Sequence, residues 1–462
     1  MRALILTKAK AGVKGAGLVT KRSVVVTGLG PVTAAGLGVS ELRAGLRSGR
    51  SRVRTVTRFD PSPFRSRMAA EILDFEPSDF MDPTTVKRTD RFVQFAMAAA
   101  RLALEDAGML DGGAAVVSPR ASWASELDLD PTRTAVQLGS AMGGIAHAEN
   151  QLRGFLEGGA RSLDPRLATT TFAGAASCQI AVRLGIAGPN STNAMSCAAG
   201  TMAIGEAARL IREGVVDVAL AGGADAPLAP VCYGAFAALR AMSKRNDDPG
   251  AACRPFDAQR DGFVMGEGAC VLILEERGRA EARGARIYAE VAGYGTNNDA
   301  YHMAAPRPDG RMATAAISDA LRQPGLPAST VDHVSAHGSS TMLNDQTESF
   351  VIRQALGARA DDVSVSATKP FHGHALGASG AIEAAIVCLS LADGWVPPTL
   401  NFEEAGEGCD LDYVTERTDS ADGAGSGRRR DPEGDDVASR GDRAGCGQDA
   451  RGGKDARGGR DS

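Results

Sequence analysis

Three short stretches of this sequence concentrate the residue types that do chemistry. In the first, Asn193-Ala-Met-Ser-Cys197-Ala-Ala-Gly200-Thr201, a cysteine stands where a strand-like run gives way to a helical pattern reaching about Glu213. Ala198, Ala199 and Gly200 are small enough to let backbone N–H groups approach the sulfur, and a helix N-terminus favours thiolate, so Cys197 is a candidate nucleophile. The same text also suits a packed core thiol. In the second stretch, Ala336-His337-Gly338-Ser339-Ser340-Thr341, a histidine closes a strand-like run and is followed by hydroxyls able to hold a polar ligand tail. An ordinary loop histidine fits equally well there, and His333 lacks the Gly-hydroxyl context altogether. The third runs Thr368-Lys369-Pro-Phe-His372-Gly373-His374-Ala-Leu-Gly377-Ala-Ser-Gly380, with Glu383 in the apolar helical pattern beyond it. A lysine beside an imidazole opposes its protonation, and a carboxylate can hold the lysine. An interfacial salt bridge would explain Lys369 and Glu383, but not the glycines around His374.

One histidine is the usual base for a cysteine hydrolase. Two histidines with a lysine point instead to donors that stabilise an enolate oxygen after the cysteine has been acylated.

Such residues need a scaffold. Short β-branched runs ending in glycine recur at Ser23–Gly28, Thr134–Gly139, Val215–Gly222, Ile287–Gly293 and Val331–Gly338, with a further run at Gly268–Leu274. Runs of this kind fit strands covered on both faces. Between them, Phe92, Phe95, Ala99, Leu102 and Ala103 mark one helical face, and Ala203, Ala207, Leu210 and Ile211 another. A layered α/β architecture follows, with a boundary near Glu276.

Composition narrows the function. The 462 residues carry a net charge of -5, which gives no electrostatic reason to bind nucleic acid or an anionic membrane. Eight cysteines are scattered without C-x-x-C pairs or metal-like spacing, as suits free thiols in a reducing cytoplasm, and no metal is expected. No stretch approaches roughly 18 uninterrupted apolar residues, so no membrane span is expected. Residues 1–20 read as a basic, disordered leader. From Glu416 to Ser462 only Val437 is aliphatic and larger than Ala, so residues 416–462 read as a disordered tail.

The ordered stretches SCAAGT, AHGSSTMLND and TKPFHGHALGASGA resemble the β-ketoacyl-acyl-carrier-protein synthases, nearest the synthase II type and the discrete polyketide ketosynthases. The resemblance spans about Lys21 to Val414 and includes VVVTGLGPVTAAG, RPFDAQRDGFVMGEGA and EGCDLDYV. It implies a thiolase-type five-layer αβαβα fold of two pseudo-duplicated halves, residues 21–276 carrying Cys197 and residues 277–415 carrying His337, Lys369 and His374. It further implies decarboxylative condensation of an acyl-Cys197 thioester with malonyl-carrier protein. His337 and His374 match the enolate-stabilising pair, Lys369 the electrostatic lysine, and Glu348 and Glu383 the carboxylates. Ser339 and Thr341 match pantetheine-contacting hydroxyls, Phe236 a pocket phenylalanine, and Lys87 with Arg88 a carrier-protein docking patch. No cofactor is expected on the enzyme itself, since phosphopantetheine arrives on the acyl carrier protein. The partners implied are that carrier and a second copy, or a ketosynthase-like subunit in a heterodimer. A non-catalytic chain-length partner is the alternative, and it commonly lacks the cysteine retained here.

The resemblance ends at Val414. The family continues through two core strands joined by a Gly-Phe-Gly-Gly-Thr-Asn loop, and this sequence does not. Its Gly-, Arg-, Asp- and Ala-rich tail reads as a shifted frame of a GC-rich gene, and Val19 as an alternative start. An inactive product of a disrupted frame is a further expectation from this departure.

Overall fold

The computed structural model describes residues 2–8, 22–110, 127, 129–415 and 418–419. The strands that position the site and its surroundings are β1 (Arg2–Thr7), β2 (Val24–Thr33), β3 (Thr134–Gly139), β4 (Asn190–Asn193), β5 (Val218–Asp225), β6 (Gly268–Glu276), β7 (Ala289–Thr296), β8 (His333–Ser335), β9 (Ser364–Ser366), β10 (Trp395–Val396), β11 (Asp412–Tyr413) and β12 (Thr418–Asp419). Seven of these form one sheet in the order β1-β7-β2-β6-β5-β3-β4, with the short strand Gly36–Leu37 added to β2. Its β5-β3-β4 end is parallel, whereas β6 runs antiparallel to both β2 and β5. A second, parallel sheet follows the order β8-β9-β11.

The helices that frame the sheets are α1 (Arg91–Asp106), α2 (Ala175–Leu184), α3 (Ala199–Arg212), α4 (Arg311–Arg322), α5 (Met342–Leu356) and α6 (Ser379–Asp393). Alternation along the strands sorts the core into layers. On β6, Val271 and Ile273 face α1 and α2, while Leu272 and Leu274 face α3 and α6. A third cluster joins Leu321 of α4 and Ile352 of α5 to Val365 and Tyr413 of the second sheet. Helix and sheet therefore alternate in layers, as the sequence pattern implies, in keeping with the five-layer fold that the resemblance implies. Close approach depends on glycine at β2, where a Cβ on Gly30 would stand 1.9 Å from the Ala99 carbonyl oxygen of α1. The helix stretch Leu376–Asp393 has the length and apolarity of a membrane span, but 67% of it is buried in these layers.

Two expectations need correction. Residues 1–20 are not uniformly a disordered leader, because Arg2–Thr7 is a strand paired antiparallel with β7. Leu4 and Leu6 pack toward α3 and α6 while Ile5 packs toward α4 and α5, so the run RALILT has a covered face on each side. Likewise Thr418–Asp419, inside the stretch read as a disordered tail, pairs with Trp395–Val396. The rest of the leader from residue 9 and of the tail lies outside the described residues.

Strand ends shift for local reasons. The strand expected from Val215 starts at Val218, since the Val215 and Val216 N–H groups bond to Leu210 at the C-terminus of α3. The one expected to reach Gly338 stops at Ser335, because Glu348 takes the N–H groups of His337 and Gly338.

Candidate active site

The three motifs converge from distant parts of the chain. Cys197 lies in a single helical turn, Ser196–Ala198, that leads into the N-terminus of α3. His337 follows the end of β8, and Lys369 and His374 flank the turn between β9 and α6. Each motif also holds one non-glycine residue in the left-handed backbone region: Ser196 at φ 50°, Ser340 at φ 66° and Leu376 at φ 46°. Such conformations cost roughly 1–3 kcal/mol each and persist only where surrounding contacts over-determine them.

Those contacts are present. The His374 N–H donates to the Val264 carbonyl at 2.8 Å, and its own carbonyl accepts from Gly266 N–H at 3.0 Å. The buried carboxylate of Asp225, at the end of β5, accepts from Gly377 N–H at 2.7 Å and from Ala141 and Met142 N–H and the Ser140 hydroxyl. It thereby ties the turn after His374 to the first sheet. A Cβ on Gly377 would lie 2.6 Å from this carboxylate, so only glycine fits. Behind the second motif, Ser340 Oγ accepts from Arg254 N–H at 3.0 Å, and Asp345 accepts from Phe256 N–H at 2.8 Å.

At the centre, His374 Nε2 stands 3.0 Å from Cys197 Sγ, and the His337 and His374 rings meet edge to face at 5.1 Å. Lys369 Nζ lies 3.4 Å from His337 Nδ1 and also donates to the His337 carbonyl and to Glu383. Glu348 accepts from His337 N–H at 2.7 Å and Gly338 N–H at 2.8 Å, which fixes the loop rather than the ring.

Electrostatics follow from burial around one cation. Burial first, then Lys369, hold the His337 and His374 imidazoles well below their ordinary pKa, so both are neutral at pH 7. Burial raises Glu383 against the opposing effect of Lys369, and pushes Glu348 up to about 7 and Asp225 up to about 6. Cys197 departs from the helix-terminus expectation. Its thiol is pushed up, because desolvation outweighs the Ser196 hydroxyl and Lys369. Cys197, His337 and His374 place their donor atoms within 4.8 Å of one another, a set with zinc-like chemistry, but the Lys369 ammonium beside them opposes a second cation.

The structure thus brings together Cys197, His337, Lys369, His374, Glu348 and Glu383. Ser339 and Thr341 share a hydrogen bond of 2.9 Å next to His337. Phe236 is one ring removed, packed on Phe263, which meets His374 edge to face at 5.5 Å. Lys87 and Arg88 are exposed at the end of the helix Pro83–Arg88, and no described contact ties them to this cluster. Reading by motif missed Phe263, Asp225 and Ser379, whose hydroxyl lies 2.8 Å from His374 Nδ1. The available signals were an acid closing the Gly-Gly strand end at Asp225 and a hydroxyl among small residues at Ser379.

Comparison with known proteins agrees with this geometry. Residues 21–280 match the family model "Beta-ketoacyl synthase, N-terminal domain", and residues 288–403 match its C-terminal domain. The chain is 44% identical over 394 residues to 3-oxoacyl-[acyl-carrier-protein] synthase 2 of Synechocystis sp., covering 85% of this chain and 91% of that protein. It is 42% identical over 400 residues to a putative polyketide beta-ketoacyl synthase 1 of Streptomyces cyaneus, covering 85% and 91%. Among solved structures, the ishigamide ketosynthase/chain length factor superposes with a TM-score of 0.76 at 36% identity, over 86% of this chain and 93% of that one. A type II polyketide ketosynthase bound to the hexaketide, in complex with its acyl-carrier protein, gives a TM-score of 0.77 at 34% identity over 87% and 94%. With the two-histidine, one-lysine cluster around Cys197, these matches establish that the chain belongs to the β-ketoacyl synthase family of acyltransferase-type condensing enzymes, on the thiolase fold.

Proposed function

We propose that this chain is a 3-oxoacyl-[acyl-carrier-protein] synthase, with Cys197 as the acyl acceptor. In the first half-reaction the Cys197 sulfur attacks an acyl thioester on carrier-bound phosphopantetheine, the thiol proton passes to the departing pantetheine sulfur, and the carrier leaves as its thiol. In the second, malonyl-carrier protein loses carbon dioxide. The electron pair of the broken C–C bond moves onto the thioester oxygen as an enolate, and the enolate carbon attacks the Cys197 thioester. The product is a 3-oxoacyl chain two carbons longer, and Cys197 is freed.

The observation that carries this reading is the pair of neutral imidazoles facing one sulfur, with the cation behind His337 rather than between the rings. A neutral imidazole donates its N–H to a developing oxyanion and, unlike imidazolium, is too weak an acid to protonate the enolate. The Cys197 N–H, at the start of a helix, is a further donor. Ser339 and Thr341, whose hydroxyls bond to each other just after His337, would hold the pantetheine arm.

Docking follows from surface chemistry. A cavity of about 240 Å³ beside Met242 is lined by Arg65, Arg240 and Lys244 together with Asp261, and suits the phosphate of a carrier-bound arm. Lys87 and Arg88 would add to attraction of an acidic carrier. The second subunit would dock where β4 leaves the sheet edge open. Exposed Leu152, Phe155 and Leu156 lie on the helix Ile145–Gly158, with exposed Met195 just after β4. Seven described cysteines are free thiols, in keeping with a cytoplasmic enzyme.

The test is condensation by purified protein supplied with acyl- and malonyl-carrier protein, with acyl-enzyme followed by intact mass. An acyl adduct on Cys197 and a 3-oxoacyl product support the reading. A folded protein that forms neither is a non-catalytic partner subunit.

A further inference from the structure

The two histidines are held in register by different devices. His337 Nδ1 faces an ammonium, Lys369 Nζ, which has only protons to offer, so the His337 ring carries its own proton on Nε2. His374 has no such cation at its Nδ1. It meets instead the hydroxyl of Ser379, at 2.8 Å, in the first turn of α6.

We infer that Ser379 is a positioning residue that sets the tautomer of His374. Both groups are buried, and the bond to His374 Nδ1 is the single described hydrogen bond of the Ser379 hydroxyl. A neutral imidazole has one donor and one acceptor nitrogen. If Nδ1 carried the proton, the Ser379 hydroxyl would accept it and leave its own hydrogen unpaired inside the protein. If the hydroxyl donates, both groups are satisfied and the ring proton stands on Nε2, the nitrogen that faces Cys197 Sγ at 3.0 Å. The bond therefore points an N–H, rather than a lone pair, at the place where the thioester and enolate oxygens form.

This has a mechanistic consequence. With the lone pair presented, the electron pair released by decarboxylation would be repelled as it reached oxygen. With Nε2–H presented, the negative charge is met by a donor already in place. His374 then acts as a donor and not as the base that deprotonates Cys197. A cation at Lys369 and a neutral hydroxyl at Ser379 thus enforce the same tautomer on neighbouring rings, and the site holds one positive charge instead of two.

The inference rests on His374 serving as an oxyanion donor, and its test separates the two ideas. Full-length protein labelled with ¹⁵N-histidine reports the tautomer directly, because protonated and unprotonated ring nitrogens differ widely in chemical shift. The wild type is expected to show His374 protonated on Nε2. Ser379→Ala, which removes one atom from the first turn of a helix, is expected to show mixed tautomers and a roughly tenfold lower kcat for condensation, with KM for the acyl-carrier substrate unchanged. Ser379→Thr, which restores the hydroxyl, should recover both signals. An unchanged His374 pattern in Ser379→Ala overturns the inference, even if kcat falls. A shifted tautomer with unchanged kcat supports the role of Ser379 and overturns that of His374 as the donor.

Discussion

His374 Nε2 and Cys197 Sγ, 177 positions apart in the chain, face each other at 3.0 Å across the junction of the first sheet and the loop before α6. The separation is maintained by backbone hydrogen bonds at His374 and by a buried carboxylate beneath the turn that follows it. Val264 and Gly266 clamp the His374 peptide, and Asp225 anchors Gly377. Cys197 and His374 are thus fixed to neighbouring parts of one packed core.

Cys197→Ala should abolish acyl transfer, with condensation reduced by on the order of 10³-fold or more. Decarboxylation of malonyl-carrier protein should persist, because His337, Lys369 and His374 remain in place. Carbon dioxide release measured beside acyl-enzyme mass distinguishes the two half-reactions. Equal loss of both would assign Cys197 a role in decarboxylation as well.

Lys369→Met should be the most damaging single change to stability. It strands the buried Glu383 carboxylate and removes the donor at His337 Nδ1. Breaking one side of a buried pair costs about 3–5 kcal/mol. The double variant Lys369→Met/Glu383→Gln should regain most of the unfolding midpoint while remaining inactive. Recovery of activity in the double variant would show that the pair serves folding alone.

Glu348 links the site to pH. Burial pushes its carboxyl up to about 7, above the ordinary 4.5, so the fold favours the protonated form. That contribution is fully present below pH 4.5 and is lost as pH rises through 7, an upper bound of about 3 kcal/mol. His333 and His372 act in the opposite sense. Burial lowers them to about 4 and 3, so their contribution is present above pH 6.5 and lost as pH falls through those values. Urea unfolding at pH 5 and pH 8 should show Glu348→Gln less destabilised relative to wild type at the higher pH. An equal difference at both pH values would rule out Glu348 as the titrating group.

Removing residues 1–18, so that the chain begins at Val19, deletes β1 and uncovers one edge of β7. Leu4, Ile5 and Leu6 are each partly buried against the core clusters. Their loss should cost roughly 2–4 kcal/mol, read as a lower denaturant midpoint. Ile5→Asp should reproduce part of the effect by placing a charge in the layer of α4 and α5. An unchanged midpoint in both variants would mean that β1 adds nothing to the fold.

The chemistry was legible in the sequence because each reactive side chain sits in a short local pattern. Cys197 opens a helix, and His337, Lys369 and His374 stand on turns whose glycines and small residues mark them. The β-branched runs showed the strands, since period and composition are local properties. Other features depend on partners distant in sequence. RALILT is too short for its composition to declare a strand, and it became one only where β7 offered an open edge and two clusters offered cover. The helix-terminus argument for Cys197 implies a lowered thiol, whereas desolvation, which depends on everything packed around the sulfur, pushes it up. Neither Asp225 nor Ser379 announces a role by its local pattern, and their roles come from hydrogen bonds to Gly377 and His374. Sequence thus determined which residues are candidates for the chemistry and the class of layers that holds them. Tertiary structure decided their charge states, their orientation and the reach of the fold toward its first residues, because burial and long-range hydrogen bonding are set by the packed chain as a whole.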